Sequence, residues 1–258
     1  MKNNNVKIHI NIQNSRNESF FTFLMPLKPT WKRYKDIFLR KDSLSIYRKL
    51  EYELISKIKY EGKILDYGGG DRAHYVDIIH NQSKNTNYAS VNISREIEPT
   101  YLIEKSQKLP LISDNYDMII SFNTLEHIYD DKETLSEMIR VLKPGGQILL
   151  TVPFLYRVHG SPEDYNRHTM IWWAKTLSRF DIENIQIRPI VWDYLTTGLS
   201  VVEGAGPLKN TRKILIPFYG LLYSWYKCKS EDVCYPVKVG EQLSNMALGY
   251  VISGNKIK

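Results

Sequence analysis

Cysteine is scarce in this chain: Cys228 and Cys234 are the only two among 258 residues. They lack the CxxC spacing of a zinc or redox motif. A disulfide framework is excluded, and reduced thiols in a cytoplasmic protein are the simpler expectation. No run of about 18 apolar residues exists, so the sequence offers no membrane-spanning helix. The polar start, Met1 to Asn5, has no apolar core like that of a signal peptide. Internal repeats and low-complexity runs are missing, which excludes solenoids and flexible linkers. No residues stand at metal-ligand spacing, so the sequence reads as having no metal site. It also lacks an aromatic platform or appended module for single-stranded RNA, so nucleic acid is not the favoured partner.

What is present is the composition of a folded domain, 43% hydrophobic and 24% charged. A chain of 258 residues suits one large domain and is ample for a sizeable core. The net charge of +7 suits anionic partners such as phosphates or membrane surfaces, although a solvated basic surface accounts for it equally well. The 18 tyrosines fit carbohydrate or aromatic contacts and prove neither.

Residues 1–60 read as an N-terminal arm, irregular or a short added hairpin, followed by a helix. Leu44, Tyr47, Leu50, Leu54, Ile55 and Ile58 recur at helical spacing over Lys41 to Lys59. Over 61–192 strands and helices alternate. Strands are expected at 64–67, 88–93, 118–122, 147–152 and 182–189, with helices at 75–79, 131–141 and 171–180. This alternation predicts a mostly parallel sheet with helices on both faces. Residues 193–246 form an insertion that the core does not need, and 247–258 hold a closing strand. Inside the insertion, Ile214 to Tyr226 is rich in aromatic and aliphatic residues between Lys209, Arg212, Lys213, Lys227 and Lys229. It is too short to cross a bilayer. Interfacial docking through 209–229 suits that pattern, and a lid over the site or a homodimer contact suits it too.

The most informative stretch is Lys63-Ile64-Leu65-Asp66-Tyr67-Gly68-Gly69-Gly70. A buried strand ends in an acid and three glycines, where backbone can turn sharply and approach a ligand. Gly68-x-Gly70-x-x-Ala73 also fits a form of the dinucleotide fingerprint. An NAD enzyme would place an acid near the end of the second strand. Here Asn92 stands there, so the fingerprint alone leaves the cofactor open.

The segments downstream narrow it. Leu109-Pro110-Leu111, Asp114-Asn115-Tyr116-Asp117-Met118-Ile119-Ile120-Ser121, Leu125-Glu126-His127 and Val141-Leu142-Lys143-Pro144-Gly145-Gly146 follow in order. The set resembles the class I S-adenosylmethionine-dependent methyltransferases, type 11 branch, closely over Lys63 to Phe154 and more loosely at Gly249 to Ile252. The resemblance implies a Rossmann-like fold with a seven-stranded sheet and a lid insertion before the last strand. Its cofactor would be S-adenosyl-L-methionine. Asp66, Gly68 and Gly70 would border the methionine part, with Asn92 in place of the family's ribose-gripping acid. Ser106 and Gln107 would meet the adenine, and Phe122 and Asn123 would lie beneath the sulfonium. Glu126-His127 would serve the pocket floor.

A second cluster, Pro153 to Thr169, holds His159, Asp164, Tyr165 and Arg167. Methyltransferases associated with glycan biosynthesis have a similar His…Pro-x-Asp-Tyr-x-Arg-x-Thr stretch. A sugar hydroxyl needs a base before it attacks a sulfonium. His159 would be that base and Asp164 its helper, while Tyr165 and Arg167 would hold the acceptor, Arg167 through a phosphate or carboxylate. A structural network of Asp164, Tyr165 and Arg167 closing the lid is the competing reading. Another small-molecule acceptor, such as a lipid or quinone precursor, stays open. So does a non-catalytic binding module, because of Asn92.

Overall fold

The computed structural model describes residues 7–13, 18–40, 42–82, 87–104, 108–160, 163–202, 207–228 and 233–258. Two strands come first, β1 (Lys7–Gln13) and β2 (Glu18–Leu24), then α1 (Trp31–Phe38) and α2 (Ile46–Ile55). The alternating region supplies β3 (Lys63–Tyr67), α3 (Val76–Gln82), β4 (Asn87–Asn92), β5 (Tyr101–Leu102) and β6 (Tyr116–Phe122). It continues with α4 (Asp131–Val141), β7 (Leu142–Pro153), α5 (Met170–Arg179) and β8 (Ile182–Ile190). Three helices follow, α6 (Tyr194–Val201), α7 (Lys209–Lys227) and α8 (Val237–Ser244), before β9 (Gly249–Lys256) closes the chain.

All nine strands join one sheet in the order β1-β2-β8-β9-β7-β6-β3-β4-β5. From β8 to β5 this is a seven-stranded sheet, as expected, parallel except for β9, which runs against β7 and β8. The N-terminal arm resolves as the added hairpin. β1 and β2 pair antiparallel, and β2 then runs parallel to β8 and covers what would have been its free edge. The seventh strand, which the hydrophobic pattern did not locate, is β5, only two residues long.

Strand side chains alternate between two apolar layers, which is why the central strands read as continuous apolar runs. Leu65, Ile119, Ile148 and Ile252 share one core with Leu135 and Met138 of α4 and Trp173 of α5. Ile64, Met118, Ile120 and Leu149 share the other with Tyr34 of α1, Leu50 of α2, Ile79 of α3 and Leu221 of α7. The helix expected from Lys41 begins later because Ser45 caps it, its Oγ accepting from the Arg48 amide at 3.2 Å. Both cysteines are buried, and neither is in a disulfide. Among the described residues, no helix is long and apolar enough to cross a membrane.

Candidate active site

A cavity of about 760 Å³ opens at the carboxyl ends of β3, β4 and β6. Gly68, Asn92, Phe122, Asn123, His159 and Tyr165 all line it. Its size lies within the usual range of ligand sites, roughly 300–1,000 Å³. Strand ends in an open parallel sheet leave such a crevice outside their carboxyl termini.

One wall is the glycine turn. Gly68 adopts a φ of +92°, and a Cβ there would overlap the Thr124 side chain. Gly70 is crowded too, by the carbonyl of Ile97, but it does not line the cavity. These glycines therefore admit the protein's own neighbouring atoms, a closer constraint than ligand approach alone. Asp66 also sits behind the wall instead of in it. Its carboxylate is fully buried and accepts from the Tyr88 hydroxyl at 2.7 Å and the Tyr75 hydroxyl at 3.0 Å. Burial pushes the Asp66 carboxyl up to about 7, and the two tyrosine hydroxyls oppose that rise. Expected to border the methionine part, Asp66 instead ties Tyr75 and Tyr88 together beneath the turn.

Asn92 faces the cavity, but both ends of its amide are engaged. Nδ2 donates to the Gly68 carbonyl at 2.6 Å, and Oδ1 accepts from the Ser94 amide at 2.8 Å. It clamps the turn, while the second hydrogen of Nδ2 and the second lone pair of Oδ1 are left for a ribose diol. Ser106 and Gln107 lie outside the described residues.

The floor is a polar network absent from the sequence expectations. Asn123, at a φ of +51°, donates Nδ2 to Thr151 Oγ1 at 3.2 Å and to Glu51 Oε1 at 2.5 Å. Glu51 is fully buried on α2, accepts also from the Thr151 hydroxyl, and pairs with Arg48 of the cavity wall at 3.1 Å. The Oδ1 atom of Asn123 is buried with no donor. A sequence signal for this floor did exist: Glu51 falls on the apolar face of α2, between Tyr47, Leu50 and Ile55. An acid on that face announces a buried partner.

The opposite wall is made by two segments far apart in sequence. A 3₁₀ turn, Leu125–His127, follows β6, and the loop after β7 folds onto it. The Tyr165 amide donates to the Glu126 carbonyl at 2.8 Å, and Asn166 Nδ2 donates to the Leu125 carbonyl at 3.3 Å. His127 Nδ1–H donates to the Glu163 carbonyl at 2.5 Å. These bonds bring the His127 and His159 rings together edge to face, centroids 4.9 Å apart.

His159 Nδ1–H donates to the Arg157 carbonyl at 3.2 Å, with Asp164 Oδ2 3.4 Å away. A carbonyl can only accept, so this contact favours a proton on Nδ1 and a lone pair on Nε2, against the longer approach of the Arg167 Nη2 donor to Nδ1 at 3.5 Å. Partial burial holds the imidazole below its ordinary range, His127 adds to that, and the Arg157 carbonyl opposes it. His159 is thus neutral near pH 7. Asp164 accepts from the His159 amide at 2.8 Å and takes both Arg167 Nη atoms at 2.5 and 2.6 Å. Burial works against its charge, but Arg167 and the His159 amide outweigh it and hold the carboxyl below the usual range. Arg167 does not line the cavity: its two Nη atoms bind Asp164, and Nη1 also donates to the Asn166 carbonyl at 2.7 Å, so this arrangement does not itself form the substrate contact expected of it. Asp164 is likewise a loop anchor beside His159. Tyr165 stands at the mouth, its hydroxyl donating to Glu163 at 2.6 Å. Among the described residues, none from 193–246 lines the cavity; α7 lies instead beside α1 and α6, where the Tyr34 ring tilts against Phe218.

Sequence comparison agrees with this geometry over the core. Residues 62–150 match a methyltransferase domain. That domain runs from just before β3 into β7 and contains the glycine turn, Asn92 and Asn123 of the floor. A probable S-adenosylmethionine-dependent methyltransferase of Mycolicibacterium smegmatis is 39% identical over 46 residues, 18% of either chain. Arsenite methyltransferase of Mus musculus is 27% identical over 133 residues, covering 43% of this chain and 35% of that protein. The matches thus span about a third or less of these curated relatives. Among solved structures, Haemonchus contortus phosphoethanolamine N-methyltransferase 2 with S-adenosyl-L-methionine superposes with a TM-score of 0.52 at 13% identity, over 88% of this chain and 56% of that one. A SAM-dependent methyltransferase from Archaeoglobus fulgidus gives 0.50 at 15% identity, over 88% and 100%. At such identities the likeness is one of fold, and the fold around the methyltransferase domain is the Rossmann-like one.

Proposed function

We propose that this chain transfers a methyl group from S-adenosylmethionine to a hydroxyl of a sugar, either in a glycan or in a nucleotide- or lipid-linked intermediate. The observation that carries the reading is one cavity with the glycine-turn wall on one side and a neutral imidazole on the other. The residues suit the methyl donor. The space is sufficient, and the undonated Oδ1 of Asn123 would accept a bond from an ammonium group. When bound, S-adenosylmethionine supplies an electrophilic methyl, which the acceptor oxygen takes as it gives up its proton, leaving the thioether.

The chain's own groups do the rest. His159 Nε2 takes the hydroxyl proton, and Asp164 and the Arg157 carbonyl keep the ring oriented by its other nitrogen. Tyr52, Tyr129 and Tyr165 line the cavity and offer the flat apolar faces on which a sugar ring stacks. With Arg167 engaged elsewhere, a phosphate on the acceptor would fall to Arg48. Holding two substrates in one closed geometry supplies much of the rate.

Titration calorimetry with S-adenosylmethionine tests the donor: no heat at millimolar ligand would end the methyltransferase reading. Turnover of nucleotide-linked and lipid-linked sugars tests the acceptor. His159→Ala is expected to keep donor binding and lower turnover about a hundredfold or more, and unchanged turnover would remove His159 from the chemistry.

A further inference from the structure

Glu126, His127 and His159 each place one ligand atom within 4.8 Å of the other two. Glu126 is 2% exposed, and both of its carboxylate oxygens are buried with no hydrogen-bond donor. Such a group is costly unless something positive meets it; Arg167 and Arg48 act on it at a distance, and neither donates to it. His127 Nε2 stands 3.6 Å from Glu126 Oε1, too far for a hydrogen bond. That separation is close to the edge of a tetrahedral site, since bonds of roughly 2.0–2.2 Å set neighbouring ligand atoms roughly 3.5 Å apart. The second nitrogen of each histidine is already committed: His127 Nδ1–H to the Glu163 carbonyl and His159 Nδ1–H to the Arg157 carbonyl. This is how ligand imidazoles are oriented, one nitrogen held by a carbonyl so that the other presents its lone pair.

We infer that Glu126, His127 and His159 hold a divalent transition cation of the zinc class, with its fourth position open to the cavity. Two imidazoles and one carboxylate form the donor set of catalytic zinc sites. The inference rests on the proposed methyl transfer and deepens it. A hydroxyl bound at the open position would be acidified by the cation. With the cation bound, His159 Nε2 is a ligand, and this replaces its role as base in the metal-free reading above; the hydroxyl proton then passes to bulk water at the cavity mouth. Sequence spacing could not show this set, because the third ligand arrives on a separate loop.

The probe is Co²⁺, added to protein stripped of metal with a chelator and followed by its visible absorption. One equivalent is expected to bind, with affinity at least tenfold weaker in His127→Ala, His159→Ala and Glu126→Gln. Chelation is expected to abolish turnover, and Zn²⁺ to restore it. Donor binding by calorimetry is read in parallel. If S-adenosylmethionine gives no heat while Co²⁺ still binds, the proposed function fails and the metal site stands. Absent Co²⁺ binding, or equal affinity in wild type and His159→Ala, overturns the site. Should Glu126→Gln unfold, His159→Ala carries the test alone, since its half-buried ring is at the cavity surface.

A separate observation concerns α7. Leu215, Tyr219, Leu222 and Tyr226 recur on one face of the helix and are exposed, and Trp225 beside them is 78% exposed. Arg212 and Lys227 border that stripe, on a chain of net charge +7. We propose that this face docks on an anionic membrane surface, with the aromatic rings at headgroup depth. Vesicles of phosphatidylcholine with 30% phosphatidylglycerol should co-sediment the protein at low salt, and Leu222→Ser with Trp225→Ser should weaken this at least tenfold. No co-sedimentation, equal binding to neutral vesicles, or a dimer in solution that buries the stripe would overturn it.

Discussion

The two walls of the cavity are built differently. The glycine-turn wall comes from one short stretch of chain, β3 to β4, and its groups satisfy one another: Asp66 with Tyr75 and Tyr88, Asn92 with Gly68 and Ser94. The histidine wall is assembled from two distant segments and leaves strong groups unmet, chiefly the Glu126 carboxylate. Closure on one side suits a ligand held by shape and backbone. Open valence on the other suits chemistry on a partner still to arrive. Self-satisfied networks rigidify, whereas half-satisfied ones mark function.

The contrast can be broken most sharply at Asp164. Asp164→Ala removes both Arg167 contacts and strands a largely buried guanidinium, a loss of about 3–5 kcal/mol. Hydrogen exchange should show the 155–168 loop opening while donor affinity changes by less than about threefold. If donor affinity collapses as well, the walls are not independent. Gly68→Ala attacks the other side. A side chain at positive φ that also meets Thr124 should cost about 3 kcal/mol by urea denaturation and abolish donor binding, with the histidine pair untouched by NMR.

Asp66 gives the closed wall a pH signature. Its folded pKa of about 7 lies above the unfolded value of 3.8, so unfolding releases a proton between those limits. The stability it contributes is fully present below about pH 4 and lost once pH passes about 7. Compared with Asp66→Asn, the wild type should lose about 2 kcal/mol more between pH 5 and pH 7. A pH-independent difference would mean that Asp66 stays ionised. The smallest change is Asn92→Asp. An acid cannot donate to the Gly68 carbonyl, so donor binding should weaken about tenfold, the worth of one hydrogen bond. Tighter binding would show that a diol-gripping role outweighs the clamp.

What could be read from sequence follows the same division. Gly68, Asn92, Phe122 and Asn123 sit on strands whose apolar runs and order are local signals, so their convergence could be anticipated. Their detailed roles were less legible: Asn92 and Asp66 turn inward because neighbouring carbonyls and tyrosine hydroxyls compete for them. Arg167 was hard to read for the same reason, as it turns to Asp164 three residues away on a half-exposed loop. His127 and Glu163 are 36 positions apart, and only the docked loop joins them. Periodicity carries no information about such a meeting, so the metal-type cluster was invisible to spacing rules. Glu51 was the missed hint, an acid on an apolar stripe.

The added hairpin has a consequence for the birth of the molecule. Phe21 in β2 pairs with Ile185 in β8, so strands made among the first must wait for one made near the end. Until β8 is in place, β2 has no bed in the sheet, and pairings so distant along the chain form slowly. During synthesis the core from β3 to β7 can begin to associate while the hairpin remains unseated. The hairpin strands, made before the core from β3 to β7, are thus seated after it.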